Sequence, residues 1–172
     1  MRLPRVPGRF DMTSHPEPSV SIRTRDPSGA ALDAFEATIS SLKRDALAGT
    51  SPTPLRGRNI GVLCEDPRRP EVFMLERTAS ELGARVALVQ PGLGDIEARL
   101  VGERTGRVLG MLYDALICVD VAPWLVQVLR DASGIPASAD LAARWVALQA
   151  ERPDVRDDGS YLLKALVMEA CA

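Results

Sequence analysis

Short apolar runs alternate repeatedly along this chain with longer segments of helical periodicity. The apolar runs lie at residues 59–64 (Asn-Ile-Gly-Val-Leu-Cys), 85–90 and 115–119, and a short fourth run begins near residues 134–137. Runs without a regular polar alternation are typical of strands that are buried on both faces of a parallel sheet. The sequence therefore predicts a three-layer α/β/α domain with a short parallel sheet of about four strands.

Helical periodicity is found between and around these runs, at residues 30–48, 70–83, 96–112, 123–131, 140–150 and 160–171. The segment 160–171 carries an apolar stripe, so we expect this C-terminal helix to pack on the domain, against the helix at 30–48 or its neighbours. Residues 1–28 are rich in Pro, Ser and Arg and are predicted to form a flexible N-terminal tail. The predicted folded domain is then 29–172.

Composition and charge exclude several classes of function. The net charge is −2 and only 4% of the residues are aromatic, so no nucleic-acid partner is expected. No apolar run is long enough to cross a bilayer, which predicts no membrane partner and a cytoplasmic location by default. The one histidine, His15, lies in the predicted tail, and Cys64, Cys118 and Cys171 are too far apart for a metal motif. The cysteines are predicted to be small buried thiols, and no cofactor or metal is expected.

Two segments resemble the aspartate and ornithine carbamoyltransferases. Residues 55–65 read Leu-Arg-Gly-Arg-Asn-Ile-Gly-Val-Leu-Cys-Glu, where that family typically has Leu-Lys-Gly-Lys, an apolar run and Phe-Glu. Residues 103–115 read Glu-Arg-Thr-Gly-Arg-Val-Leu-Gly-Met-Leu-Tyr-Asp-Ala, and the ornithine enzymes read Glu-Asp-Thr-Ala-Arg-Val-Leu-Ser-Arg-Met-Tyr-Asp-Ala. The spacing from Gly57 to Ala115 needs no gap. The resemblance covers residues 30–138 and implies the family's N-terminal, carbamoyl-phosphate-binding domain.

The sequence departs from the family at the positions that the resemblance assigns to substrate binding. The family's phosphate-binding loop, Ser-Thr-Arg-Thr-Arg, corresponds to residues 68–72, which here read Arg-Arg-Pro-Glu-Val. The Arg-Thr pair that follows the third strand is replaced by Val119 and Asp120. The His-Pro-Thr-Gln segment and the loop lent by a neighbouring subunit have no counterpart. These losses predict a pseudoenzyme of the family, and no catalytic residue is assigned.

The C-terminal helix also resembles a family element. Residues 160–168 read Ser-Tyr-Leu-Leu-Lys-Ala-Leu-Val-Met and are similar to the last helix of the ornithine enzymes, which returns from the second domain to pack on the first. Only about 20 residues separate this helix from the segment that matches the first domain. The resemblance therefore implies that the amino-acid-binding domain is absent from this position.

Arg68 and Arg69 are the candidate binding residues, because they precede the N-terminus of a predicted helix, where anions are favoured. The alternative is a solvated basic turn that is balanced by Glu65, Asp66 and Glu71. The leading functional hypothesis is a non-catalytic, carbamoyltransferase-like binding, interaction or regulatory module. The alternatives are an enzyme subunit that is active only with a partner, and a sensor of a small anion such as phosphate or carbamoyl phosphate.

The resemblance also bears on assembly. The family forms trimers mainly through the domain that is matched here, so a homo-oligomer is expected, with a trimer as the favoured closed form. A carbamoyltransferase or another biosynthetic enzyme is a candidate partner.

Overall fold

The computed structural model describes residues 29–90, 98–151 and 159–172. The predicted tail at 1–28 lies outside the described residues. The elements are, in chain order, α1 (Gly29–Leu47), β1 (Asn59–Cys64), α2 (Pro70–Glu81), β2 (Arg85–Val89), α3 (Ala98–Leu112), β3 (Ala115–Val119), α4 (Pro123–Ser133), β4 (Ala137–Ala139), α5 (Leu141–Glu151) and α6 (Gly159–Ala170). In the described ranges, no helix combines the length and the hydropathy that crossing a membrane requires.

The four strands form one parallel sheet in the order β2-β1-β3-β4. Ile60 of β1 lies opposite Val86 of β2 and Ala115 of β3, which sets the register. Asp114 holds the beginnings of β1 and β3 together, since its amide donates to the Asn59 carbonyl and its carboxylate accepts the Asn59 amide, both at 2.7 Å. The predicted parallel sheet of four strands is confirmed.

Side chains of the central strands alternate between two apolar cores, as the pleat of a strand requires. In β1, Ile60 and Val62 point towards a core shared with α1, α2, α5 and α6, whereas Leu63 points towards a core shared with α3 and α4. β3 repeats the pattern, with Ile117 in the first core and Leu116 in the second. Helices therefore cover both faces of the sheet, which confirms the three-layer architecture.

The C-terminal helix packs where the sequence predicts. α6 contacts α1, α2 and α5, and its apolar side chains are among the most buried in the described part of the chain. Lys164 of α6 pairs with Glu81 of α2 at 3.0 Å, and the Trp145 indole of α5 donates to the Gly159 carbonyl at 2.7 Å. The hydrogen bond from Lys164, followed by the one from Arg77, lowers the pKa of Glu81.

One strand prediction needs correction. The run 85–90 is predicted to be a buried strand, but β2 ends at Val89 and lies at the edge of the sheet, where Leu88 is 39% exposed. Its sequence is apolar, yet only one neighbouring strand covers it. The fourth strand, predicted to begin within 134–137, begins at Ala137, because Gly134 adopts a left-handed conformation (φ 70°) that closes α4.

α3 and α4 approach each other closely along a row of glycines. Gly102, Gly106 and Gly110 are spaced four residues apart on α3, so they lie on one face of the helix. A Cβ atom at Gly106 would lie 2.7 Å from the Ala132 Cβ of α4, and one at Gly110 would lie 2.2 Å from the Ser133 carbonyl oxygen. The absence of side chains at these positions therefore sets the distance between the two helices.

Candidate functional site

The strand order places a crevice at the carboxyl ends of β1 and β3. The chain leaves β1 towards one edge, through α2 to β2, and leaves β3 towards the other edge, through α4 to β4. In open parallel sheets a crevice forms where successive connections diverge in this way, and ligands bind there. Arg69 lies in the turn after β1, Asp120 directly follows β3, and Asp140 directly follows β4. These three charged side chains therefore surround the crevice.

Arg69 is held by carboxylates on two different elements. Its Nη1 atom lies 2.5 Å from Oδ2 of Asp120, and its Nε atom lies 3.4 Å from Oε2 of Glu71. The hydrogen bond and the charge of Glu71, followed by the charge of Asp120, raise the pKa of the Arg69 guanidinium. The Nε and Nη1 donors of Arg69 are thus occupied by carboxylates of the protein itself.

The N-terminus of α2 satisfies its own hydrogen-bond donors. Pro70 is the first helical residue and has no N–H, and the Val72 amide donates to the Arg69 carbonyl at 3.0 Å. The Glu71 carboxylate accepts its own backbone N–H, and this bond, followed by the one from Arg69, lowers the pKa of Glu71. The helix end that the resemblance assigns to the phosphate therefore holds an internal carboxylate.

Arg68 is placed differently from Arg69. Its backbone amide donates to Oδ1 of Asp66 at 2.9 Å, which closes a tight turn after β1, and its side chain is exposed. Arg69, in contrast, lines the crevice. An anion site formed by Arg68 and Arg69 stays a prediction, and the geometry gives the two arginines unequal roles.

The crevice has a volume of about 460 Å³ and an apolar floor. Its charged lining is one guanidinium, Arg69, against the three carboxylates of Glu71, Asp120 and Asp140, which gives a formal charge of −2. Its apolar lining comes from α2, β3 and α5 and comprises Leu75, Cys118, Val119, Leu141, Ala142, Ala143, Val146 and Ala147. A site of this kind repels small anions and offers apolar contacts to a neutral or cationic group.

Asp120 and Asp140 have left-handed backbone conformations, with φ of 59° and 58°. Aspartate tolerates this region better than most residues, and both residues turn the chain sharply at the end of a strand. Sequence reasoning treated Asp120 only as the replacement of a family residue and did not assign Asp140 to the site. The signal that would have found them is their position directly after predicted parallel strands.

Burial makes the Cys118 thiol in the crevice wall a poor nucleophile. Its side chain is 1% exposed, and burial raises its pKa to about 12. Because the thiolate is the reactive form, almost no Cys118 is ionised at neutral pH.

Sequence comparison finds partial matches to ornithine carbamoyltransferases. The enzyme of Haemophilus influenzae (strain PittGG) is 33% identical over 95 residues, which cover 55% of this chain and 28% of that protein. The catabolic enzyme of Pseudomonas putida is 30% identical over 95 residues, which again cover 55% of this chain and 28% of that protein. The chain thus spans about a quarter of the length of the curated relatives that it matches. No protein-family model matches the chain.

Structure comparison finds the same fold. Anabolic ornithine carbamoyltransferase from Campylobacter jejuni superposes with a TM-score of 0.58 at 14% identity, covering 76% of this chain and 43% of that one. The enzyme from Thermus thermophilus superposes with a TM-score of 0.57 at 18% identity, covering 72% of this chain and 44% of that one. At these identities the likeness establishes the fold. The sequence matches show in addition that the chain is similar to part of ornithine carbamoyltransferases.

Proposed function

We propose that this chain, a carbamoyltransferase-like N-terminal domain, acts as a non-catalytic binding or interaction module and not as a carbamoyltransferase. The observation that carries the proposal is the state of the α2 N-terminus. Arg69 is paired with Asp120 and Glu71, and the Glu71 carboxylate accepts a backbone N–H in the first turn of α2, where anions are otherwise favoured. A dianionic substrate would have to displace these internal carboxylates.

The charge of the crevice supports the same proposal. Its lining carries −2 before any ligand is added, and carbamoyl phosphate would bring further negative charge. At the end of β3, where the resemblance implies a substrate-binding arginine, Val119 supplies an apolar side chain. Stabilisation of a phosphate leaving group depends on cationic donors, so this lining opposes the reaction.

The connection between β4 and α6 also supports the proposal. Residues 140–158 contain α5 and eight further residues. The resemblance places the amino-acid-binding domain of the family before the helix that corresponds to α6. This stretch is too short for a second α/β domain. Orientation of a second reactant beside the first, which contributes much of the rate in two-substrate reactions, is not provided by this part of the chain.

Purified full-length chain is therefore expected to show neither calorimetric binding of carbamoyl phosphate at low millimolar concentration nor formation of citrulline or carbamoyl-aspartate. The double variant Glu71→Gln, Asp120→Asn is measured in the same way. It releases Arg69 from its two carboxylate partners and removes two negative charges. We expect this variant to gain measurable affinity for inorganic phosphate without gaining turnover. Micromolar binding of carbamoyl phosphate by the unmodified chain, with turnover that is lost in the variant Arg68→Ala, Arg69→Ala, would contradict the proposal.

Self-association is the second part of the proposal. Val108, Met111 and Leu112 lie on one side of α3 and are 55%, 86% and 57% exposed, which forms an apolar surface on the outside of the domain. We expect a homo-oligomer, with a trimer as the favoured form. A partner-dependent enzyme subunit would use a surface of the same kind to contact a carbamoyltransferase or another biosynthetic enzyme. The cytoplasmic location stays a prediction.

Light scattering at high micromolar concentration tests this expectation. The unmodified chain should give a mass above that of the monomer, and Met111→Lys should lower it, because a charge would then have to be buried in the interface. Arg107→Lys on the same helix keeps the charge and serves as a control. A monomer in the unmodified chain would end the proposal of self-association.

A further inference from the structure

We propose that the crevice at the carboxyl ends of β3 and β4 binds a basic side chain, a lysine or arginine presented by an exposed segment of a partner protein. This inference rests on the proposed role of the domain as a binding module and names the chemistry of its partner. It follows from the shape of the crevice, from its charge and from its exposure.

The shape suits an aliphatic stem that ends in a polar group. Leu75 and Leu141 are buried beneath the crevice, and its accessible apolar surface comes from Ala143, Val146 and Ala147, which are exposed on α5. Lysine and arginine side chains pack their methylene groups on surfaces of this kind while the charged end remains at a polar rim. The volume of about 460 Å³ accommodates one such side chain together with neighbouring apolar atoms.

The charge selects a cation. Arg69 offsets one of the three carboxylates of the lining. Two arginines on neighbouring helices have other partners, since Arg144 pairs with Glu169 at 3.3 Å and Arg130 donates to the Ala137 carbonyl. Within the described ranges, the Asp140 carboxylate has no hydrogen bond or ion pair. An incoming ammonium or guanidinium group therefore meets a net negative charge beside apolar side chains.

The exposure of the rim favours a protein over a free small amine. The Asp120 side chain is 64% exposed and Val146 is 57% exposed, so the crevice encloses its occupant from one side only. A free small molecule would leave much of its surface in water, whereas pockets for small ligands usually bury most of the ligand. When a side chain projects from a protein, the surrounding surface of that protein covers the rim of the crevice and excludes water from it.

Amide-resolved NMR titration of the full chain tests the inference with two peptides that differ at one residue, acetyl-Ala-Leu-Lys-Leu-Ala-amide and the same peptide with Glu in place of Lys. We expect shifts at Asp140, Leu141 and Val146 with the Lys peptide, and affinity at least roughly tenfold lower with the Glu peptide. Asp140→Asn should weaken binding of the Lys peptide about three- to tenfold. Asp33→Asn, which removes an exposed carboxylate on α1, should leave it unchanged.

Equal binding of the two peptides, or no shifts at these amides with the Lys peptide, would overturn the inference. Binding of free n-butylamine with the affinity of the Lys peptide would also overturn it, since the site would then be one for small amines. These results do not bear on the proposed function, which fails only if the chain binds and turns over carbamoyl phosphate. Thermal unfolding of each variant shows whether a change in binding reflects a change in folding.

Discussion

Removal of residues 160–172 is expected to unfold the domain. The truncated chain would lack Leu162, Leu163, Leu166 and Val167, which are 1%, 4%, 0% and 0% exposed and fill the space between α6 and the helices α1, α2 and α5. Burial of each such side chain contributes about 1.5–3 kcal/mol. Together they contribute about 6–12 kcal/mol, which is comparable with the whole stability of an ordinary domain, about 5–15 kcal/mol.

Urea unfolding followed by circular dichroism measures this effect. A graded companion is Leu166→Ala, for which we expect a loss of about 2–5 kcal/mol in the free energy of unfolding, as for other buried leucines. Glu169→Ala on the same helix changes an exposed residue that pairs with Arg144, and its effect should stay within about 1 kcal/mol. An unchanged melting temperature in the truncated chain would show that α6 does not belong to the cooperative unit.

The fold could be predicted largely from the sequence because its central strands are buried on both faces. The predicted bounds 59–64 and 115–119 agree with those of β1 and β3, since strands buried on both faces read as continuous apolar runs. The error at β2 has a non-local cause. Its composition resembles that of β1, but its exposure depends on lying at the edge of the sheet, and the order of strands is not encoded in any one segment.

The candidate site was less predictable for a related reason. Arg69 could be selected because it precedes a helix, and its pairing with Glu71 is local. Its pairing with Asp120 joins residues 51 positions apart and exists only because β1 and β3 are neighbours in the sheet. The same holds for Asp140, which reaches the crevice because β4 lies beside β3. The order of the strands, more than any motif, determines which charges meet.

The contact between α3 and α4 is expected to be intolerant of a single methyl group. Gly110→Ala would place a Cβ atom 2.2 Å from the Ser133 carbonyl oxygen and 2.9 Å from its carbonyl carbon. Alanine has a more favourable helix propensity than glycine by about 1 kcal/mol. The clashing atoms, however, belong to the backbone of Ser133 and cannot move away by a side-chain rotation. We expect a net loss of about 2–3 kcal/mol in the free energy of unfolding, at the upper end of the effects of overpacking.

The neighbouring contact offers a matched control, because its obstacle is a side chain. A Cβ atom at Gly106 would lie 2.7 Å from the Ala132 Cβ, so Gly106→Ala should destabilise the domain and Ala132→Gly should restore part of the loss. A favourable coupling of about 0.5–3 kcal/mol in the double-mutant cycle would identify the two methyl groups as competitors for one space. Gly110→Ala paired with Ala132→Gly should show no comparable recovery, since the Ser133 carbonyl remains in place. If Gly110→Ala left urea unfolding unchanged, α4 would have to move freely on α3, and the position of Asp120 before α4 would no longer be fixed by this packing.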